Sequence, residues 1–483
     1  MLYRQKFDTF IRRYGDIGYI TSKSGYGDRV LDASGAVFLA SLSRNGQSLE
    51  ELAGTIAQAF KGVDLPTLKN DIVELYTMLE EDGFIVSGET DDELNRKDPR
   101  FSYSGLKSNI VKKDFSPVIM RSEKSSQEFL EEHFNDKPFL PYFQIELTSR
   151  CNERCVHCYI PHEDKNADIE AALFYDILDQ CRDIGVINLT LSGGEPMLHP
   201  KFREFLRKTK EYDFSITILS NLTLLDDEII SEIKANRLFS GIQVSLYSMK
   251  SEIHDAITQM KGSFEKTMDA ILRLTENNIP LQISCPAMRQ NKNCLADVLI
   301  WARNHNVRVV SDYTIMARYN YNAGNLENRL SLEETRLLIN DFIANNIDYQ
   351  EQLRNADIVT TDNRDTSNDI VCDAGIASVC MSSNGIVYPC SGWQGYVCGN
   401  LYEQSLKDIW ENAPKLKHLR GLRQKDFPQC LSCPDKAFCA MCMVRNANED
   451  PGGNFLNVNK HFCKAAAINR EIVTEWKEKL TAK

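Results

Sequence analysis

Two hydrophobic rhythms alternate along this chain. Between about residues 140 and 315 the short β-branched runs FQIEL, INLTLS, FSITILS, GIQVSLY, LQIS and VRVVSDYTI are separated by segments such as AALFYDILDQC and FEKTMDAILRLTENN. The runs have strand character, and the segments between them repeat their apolar residues at helical spacing. Six strand-helix units in order predict an α/β fold with a parallel sheet and helices outside. Residues 1–90 predict a smaller unit, with short strands near GYITS and DRVLD followed by helices over VFLASLS, SLEELAGTIAQAF and LPTLKNDIVELYTMLEEDGFIVSG. The last helix has Asp64 before Pro66 at its front and Gly83 at its end, which are good start and stop signals. Strands with three helices make a winged-helix-like domain.

Composition marks the joints. Residues 91–138 turn charged and turn-rich and read as a linker, as in ETDDELNRKDPRFSYSG. The helical stretch SLEETRLLINDFIANN leads into a polar connector over 346–371. A chain of 483 residues with 42% apolar content can support two or three cores. No segment approaches the roughly 20 apolar residues of a membrane span, and MLYRQKFDTF lacks the apolar centre of a signal peptide. The net charge is -12, and acids outnumber bases in residues 1–90. A winged-helix-like unit without a basic face is unsuited to phosphate contacts, so nucleic acid is not the expected partner.

The candidate chemistry lies in the cysteines. Cys151, Cys155 and Cys158 form a C-x3-C-x2-C run just after FQIEL. An iron-sulfur cube takes four thiolates, so three leave one iron open to a small molecule. Zinc is the alternative, with His157 or His162 as a fourth ligand. Gly193, Gly194, Glu195 and Pro196 follow INLTLS, where glycines let the backbone approach a ligand closely. A second set comprises Cys372, Cys390, Cys430, Cys433, Cys439, Cys442 and Cys463, with Gly385 at a hairpin-like turn. Cluster-spaced cysteines without a secretion signal predict a reducing cytoplasm.

The C-x3-C-x2-C run with GGEP behind it resembles the radical S-adenosylmethionine (radical SAM) enzymes. That resemblance implies a partial (β/α)6 TIM-type barrel over 139–345, with ligands at the C-terminal strand ends. It also implies a [4Fe-4S] cluster on Cys151, Cys155 and Cys158 whose open iron chelates SAM, and electron-driven cleavage to a 5'-deoxyadenosyl radical. His157 falls beside the adenine, and Gly193, Gly194, Glu195 and Pro196 hold the SAM amino group. Ser220, Asn221 and Ser245 fall at SAM-contacting positions; their other reading is as polar caps of strand ends.

The second cysteine set closely resembles the SPASM extension, assigned to 372–470 ahead of a C-terminal helix or tail at 471–483. It implies two auxiliary [4Fe-4S] clusters, three in all. Cys372, Cys390 and Cys442 fall to the first, and Cys430, Cys433, Cys439 and Cys463 to the second. The usual form has three residues between Cys439 and Cys442, where this chain has two. Cys380 lies as far before Gly385 as Cys390 lies after it, so hairpin symmetry offers it as a fourth ligand. Otherwise that iron stays open to a substrate thiolate. Cys181 and Cys398 read as small buried hydrophobes, while Cys285, at a strand end, could face substrate.

Ahead of such a chain, residues 1–90 resemble the RiPP recognition element, which captures the leader of a ribosomally made precursor by adding a strand to a sheet edge. The whole resembles peptide-modifying maturases, with a precursor peptide and an electron donor such as flavodoxin or ferredoxin as partners. SLYS and HDAIT around Ser245 and His254, and RNANED after Cys442, look like thioether-forming members. A sactionine-type cysteine thioether is the expected product; a carbon-carbon cross-link, an epimerase and a sulfatase-maturing enzyme are the alternatives.

Overall fold

A computed structural model describes residues 1–23, 28–99, 139–355, 365–439 and 441–482. Its N-terminal unit runs β1 (Leu2–Gln5), β2 (Thr9–Tyr14), β3 (Ile17–Ser22), β4 (Asp28–Leu31), α1 (Ala33–Ser41), β5 (Gln47–Ser48), α2 (Leu49–Ala57), α3 (Leu65–Glu81), β6 (Ile85–Gly88) and α4 (Asp91–Lys97). These strands form two small antiparallel sheets, β2-β3-β4 and β5-β1-β6. Ser48 and Glu51 close a capping box on α2. The Asp64 carboxylate caps α3 by accepting from the Thr67 amide, and Gly83 ends it at φ +83°. FIVSG therefore leaves the helix and becomes β6, zipped to β1.

The sequence pattern hid β1 because its polar residues are buried. Arg4 is only 4% exposed; its guanidinium donates to Asn95, to the Leu94 carbonyl and to Asp98. This knot also ties down α4, which composition placed in the linker. Residues 100–138 of that linker lie outside the described residues.

The barrel follows as β7 (Tyr142–Thr148), α5 (Ala171–Asp183), β8 (Asn188–Gly193), α6 (Phe202–Thr209), β9 (Ser215–Ser220), α7 (Asp227–Ala235), β10 (Phe239–Ser245), α8 (Ser251–Thr258), α9 (Ser263–Glu276), β11 (Leu281–Ser284), α10 (Leu295–Asn304) and β12 (Arg308–Val310). Its six strands pair in parallel in chain order, the parallel sheet that the sequence pattern predicts and the partial barrel that the resemblance implies. Only three residues of VRVVSDYTI join the ladder. Side-chain alternation sorts the faces. Phe143, Ile145, Leu189, Leu191, Ile216, Ile218, Val244 and Ile283 pack under the helices, while Gln144, Glu146, Thr190, Ser192, Gln243 and Ser245 line the other side. Phe205 stacks on Phe174 at 4.1 Å within this core; truncating either to alanine would cost about 3–5 kcal/mol.

After α11 (Leu332–Asn345) and α12 (Ile347–Asn355), the chain returns to the barrel's first strand. β13 (Ser378–Met381) pairs in parallel with β7, and β14 (Ile386–Tyr388) and β15 (Gly399–Asn400) extend the sheet to nine strands. Helices α13 (Leu406–Asn412), α14 (Pro414–Gly421), α15 (Pro428–Leu431), α16 (Met443–Glu449) and α17 (Lys460–Thr481) complete the fold. The last is one helix across the expected boundary at 471, because Ile472 and Val473 are locked against Ile339, Ile343 and Leu353. Residues 356–364 of the polar connector lie outside the described residues.

The N-terminal unit sits on the base of the barrel, at the N-terminal ends of its strands. Phe10, Tyr14 and Tyr19 meet Phe139, Ile187 and Leu238 there. Arg12 and Arg44 both bind the Asp213 carboxylate, and the Tyr14 hydroxyl donates to the Gly185 carbonyl at 2.7 Å.

Candidate functional site

The three-cysteine loop leaves the C-terminal end of β7 and is pinned from below. Arg154 and Val156 amides donate to the Thr258 and Ile257 carbonyls at the end of α8. Glu153 is 3% exposed and accepts from the Ser263 hydroxyl, which also meets His254 Nε2 at 3.3 Å. The tie from Glu153 through Ser263 to His254 fixes the loop. Burial pushes the Cys151 thiol up to about 12 and Cys155 well above its usual value; Glu195 and Glu153 add to the first, and Glu153, Cys158 and Cys151 to the second. Such sulfurs become thiolates when a metal replaces the proton.

The GG of GGEP closes on this loop with no space for side chains. Gly193 stands at φ +145°, and a Cβ there would lie 2.1 Å from the Thr148 carbonyl oxygen. One on Gly194 would lie 2.4 Å from that of Arg150. The Gly194 and Glu195 amides donate to the Thr148 and Arg150 carbonyls at 2.8 and 2.9 Å. Pro196 opens a short helical turn, Pro196–Leu198. Glu195 is fully buried and accepts from the Met197 amide, the Ser220 hydroxyl and the Asn221 amide at 3.0, 2.8 and 2.7 Å. Burial raises its carboxyl to about 7 against the pull of those bonds. Asn221 also donates to Asn152, beside Cys151. Glu195, Ser220 and Asn221 thus form one network behind the loop.

Ser245 ends β10 opposite Ser284. Tyr247, two residues on, was not among the residues expected from sequence. Its hydroxyl lies 3.9 Å from Cys155 Sγ, and its ring stands edge-on to His157 at 5.1 Å. His157 keeps a buried Nδ1 without a partner among the described residues, as a residue flanking a ligand would. Cys285 faces the helix layer; its thiol lies 3.8 Å from the Tyr247 carbonyl, beside Cys294.

Glu146 is a third buried carboxyl, 2% exposed, on the inner face of β7. It accepts from Gln394 at 2.8 Å and from the Tyr388 hydroxyl, and burial raises it to about 7. The Tyr159 phenol has Glu146, Cys158, Cys390 and Cys380 as titratable neighbours, so it lies between the first cysteine loop and the second set. No sequence signal singled out Glu146, because its partner Gln394 lies 248 residues away and nothing local marks the pairing.

The later cysteines fall into two groups of mutually interacting thiols. Cys372 has Cys442 and Cys390 as neighbours, and Cys390 has Cys442. Cys430 has Cys463 and Cys433, and Cys439 has all three. These are the two sets carried over from the SPASM resemblance. Cys380 interacts with Cys390 and Glu146, but the hairpin symmetry that suggested it does not hold. The turn centres on Asn384, so Cys380 pairs with Tyr388 and Cys390 lies beyond the ladder. Among the described residues no three His, Cys, Asp or Glu side chains converge as around a single ion. Each thiolate of a cube takes a different iron, so its ligands stand around the cluster rather than around one ion. The donor chemistry fits iron-sulfur clusters.

Comparison with known proteins bears on both regions. The radical SAM superfamily model matches residues 145–302, and the SPASM iron-sulfur cluster-binding domain matches residues 372–434. The antilisterial bacteriocin subtilosin biosynthesis protein AlbA of Bacillus subtilis is 25% identical over 321 residues, covering 65% of this chain and 70% of AlbA. A PqqA peptide cyclase of Granulibacter bethesdensis is 28% identical over 298 residues, covering 60% and 78%. Streptococcus suis SuiB, solved with its precursor peptide SuiA, aligns with TM-score 0.63 at 17% identity, covering 96% of this chain and 100% of SuiB. The protein therefore carries a radical SAM domain and an SPASM domain, which call for SAM and multiple [4Fe-4S] clusters. No helix among the described residues is long and apolar enough to cross a membrane.

Proposed function

We propose that this protein is a maturase of a ribosomally synthesised peptide that closes a cysteine thioether within its precursor. The observation that carries the reading is the juxtaposition of three parts. An open three-cysteine loop faces the barrel interior, a second cysteine set continues the same sheet through β13, and a winged-helix-like unit is docked on the base. Likeness to AlbA and to peptide-bound SuiB supports a peptide substrate.

With a cluster and SAM bound, the three-cysteine loop would supply radical chemistry able to remove a hydrogen atom from the peptide. The residues of this chain divide the remaining work. Cys151, Cys155 and Cys158 hold the cluster. Gly193 and Gly194 keep the cradle open, and Glu195 fixes Ser220 and Asn221 from behind. Ser245 and His157 flank the nucleoside. In net terms the peptide loses one hydrogen atom from carbon, one proton from its thiol and one electron, and gains a carbon-sulfur bond. Cys372, Cys390 and Cys442, with Cys430, Cys433, Cys439 and Cys463, would hold auxiliary clusters, and these would supply a place for that electron. Cys380, on the interior face beside Glu146, either completes the first set or leaves an iron for the substrate thiolate. If it completes the set, direct carbon-carbon coupling becomes the stronger second reading. Cys285, turned into the helix layer, offers no hydrogen donor to an epimerase.

The leader docks on the N-terminal unit. β4 is an end strand of its sheet among the described strands, and Arg29 ties it to Asp82 just past α3. Met78, one turn before Asp82, is 38% exposed. An added strand at β4 would reach this part of α3. The enzyme acts in a reducing cytoplasm with a flavodoxin or ferredoxin as reductant. Titration of labelled leader peptide into the full chain tests the docking: Met78→Glu weakens binding about tenfold or more, and equal affinity refutes it.

A further inference from the structure

The two auxiliary cysteine sets lie on either side of one arginine. Cys442 is the N-cap of helix α16, and Arg445 stands one turn further on. Its guanidinium lies 5.2 Å over the ring of Phe462, the residue before Cys463. One side chain therefore stands one helical turn from Cys442 of the first set and against the residue before Cys463 of the second. It is only 15% exposed, so its charge is poorly screened by water. Its charge lies within electrostatic reach of Cys390 in the first set and Cys439 in the second.

Lys460 and Lys436 also act on Cys430 of the second set, whereas Arg445 reaches a thiol of each set, Cys390 and Cys439. Arg329 also faces Phe462, at 5.0 Å, but the buried Glu449 carboxylate holds it bidentately. The counter-ion of Arg445 is Asp312, whose side chain is 53% exposed. A half-exposed carboxylate compensates a buried guanidinium less than a buried one does.

We propose that Arg445 is a shared positioning charge that raises the reduction potential of both auxiliary clusters and so makes the SPASM region an electron acceptor. The physical reason is simple: reduction adds a negative charge, and a fixed cation nearby favours the more negative state. The inference rests on the reading that Cys372, Cys390 and Cys442, and Cys430, Cys433, Cys439 and Cys463, hold those clusters. Asp312 acts in the opposite sense.

The test is an anaerobic redox titration of the full-length, cluster-loaded protein, followed by electron paramagnetic resonance. The SAM-site cluster is recognised by its spectral response to added SAM. At the potential where the wild-type auxiliary clusters are half reduced, Arg445→Met should raise their oxidised-to-reduced ratio about fivefold or more, and Arg445→Lys should stay within about twofold. Asp312→Asn should lower the ratio, and the SAM-site cluster should not move in any variant. Opposite shifts from the two substitutions are what a merely structural role would not give. Unchanged ratios in Arg445→Met, or shifts of the same sign in Arg445→Met and Asp312→Asn, overturn the inference. Should Arg445→Met lose iron, Asp312→Asn decides alone, with a lowered ratio in favour and an unchanged one against. Absence of auxiliary signals in the wild type would overturn the ligand reading and the inference with it.

Discussion

Replacing Gly194 by alanine tests the cradle at its tightest point. The new Cβ would sit 2.4 Å from the Arg150 carbonyl oxygen and 2.6 Å from that of Ser149. Real Cβ atoms essentially never lie under 3.0 Å from such neighbours, so the two backbones must part by at least about 0.6 Å. Neither side is a flexible side chain that can swing away. The parting breaks or stretches the 2.9 Å bond from the Glu195 amide to the Arg150 carbonyl, next to Cys151. A displacement on the order of 1 Å in a positioned site costs roughly 10²-fold in rate. Gly194→Ala should therefore cut 5'-deoxyadenosine formation by about that factor, while the fold, carried by the barrel core, persists with a melting temperature within a few degrees of wild type. The assay is reductant-driven SAM cleavage, with iron content measured on the same samples. Wild-type cleavage in Gly194→Ala would refute the reasoning.

Other expectations follow from the same geometry. His254 is buried and its pKa is held down near 4 from the ordinary 6.5 by that burial. Its Nδ1 accepts from the Tyr247 amide, so protonation costs that bond. Because the unfolded chain takes the proton first, stability is full above about pH 6.5 and falls toward pH 4, by up to about 3 kcal/mol. His254→Gln should flatten the melting-temperature profile in that window, and an unchanged slope would contradict the assignment. Asp213→Ala removes the anchor of Arg12 and Arg44 at the domain interface; since Asp213 is 43% exposed, the loss should be only about 1 kcal/mol in urea unfolding. A loss above about 3 kcal/mol would mean that the interface depends on those bridges more than on Phe10, Tyr14 and Tyr19.

What the sequence disclosed and what it hid divide by distance along the chain. GGEP, the three-cysteine loop and the strand runs are local patterns, and each folds where its spacing placed it. The capping of α3 by Asp64 and its stop at Gly83 were likewise legible, because a cap is made within a few residues. The pairing of β13 with β7 was not, since nothing local says which strand a hairpin will join. For the same reason the Glu146 carboxyl gave no sign of Gln394 and Tyr388, nor Arg445 of Phe462. β1 was hidden by a different cause: Arg4 is buried in a knot with Asn95 and Asp98, so polarity did not report exposure. The Cys380 hairpin argument failed through a register one residue off, with the turn at Asn384 rather than Gly385.

The central claim is that a bound precursor peptide gains a thioether. Its most direct test is the mass of that peptide after anaerobic co-expression, before and after thiol alkylation, with Cys151→Ala as the control. The account predicts loss of two hydrogens per link, with the linked cysteine protected from alkylation and no change in the control. The same mass loss with every thiol still alkylated would contradict thioether formation and assign the product to carbon-carbon coupling.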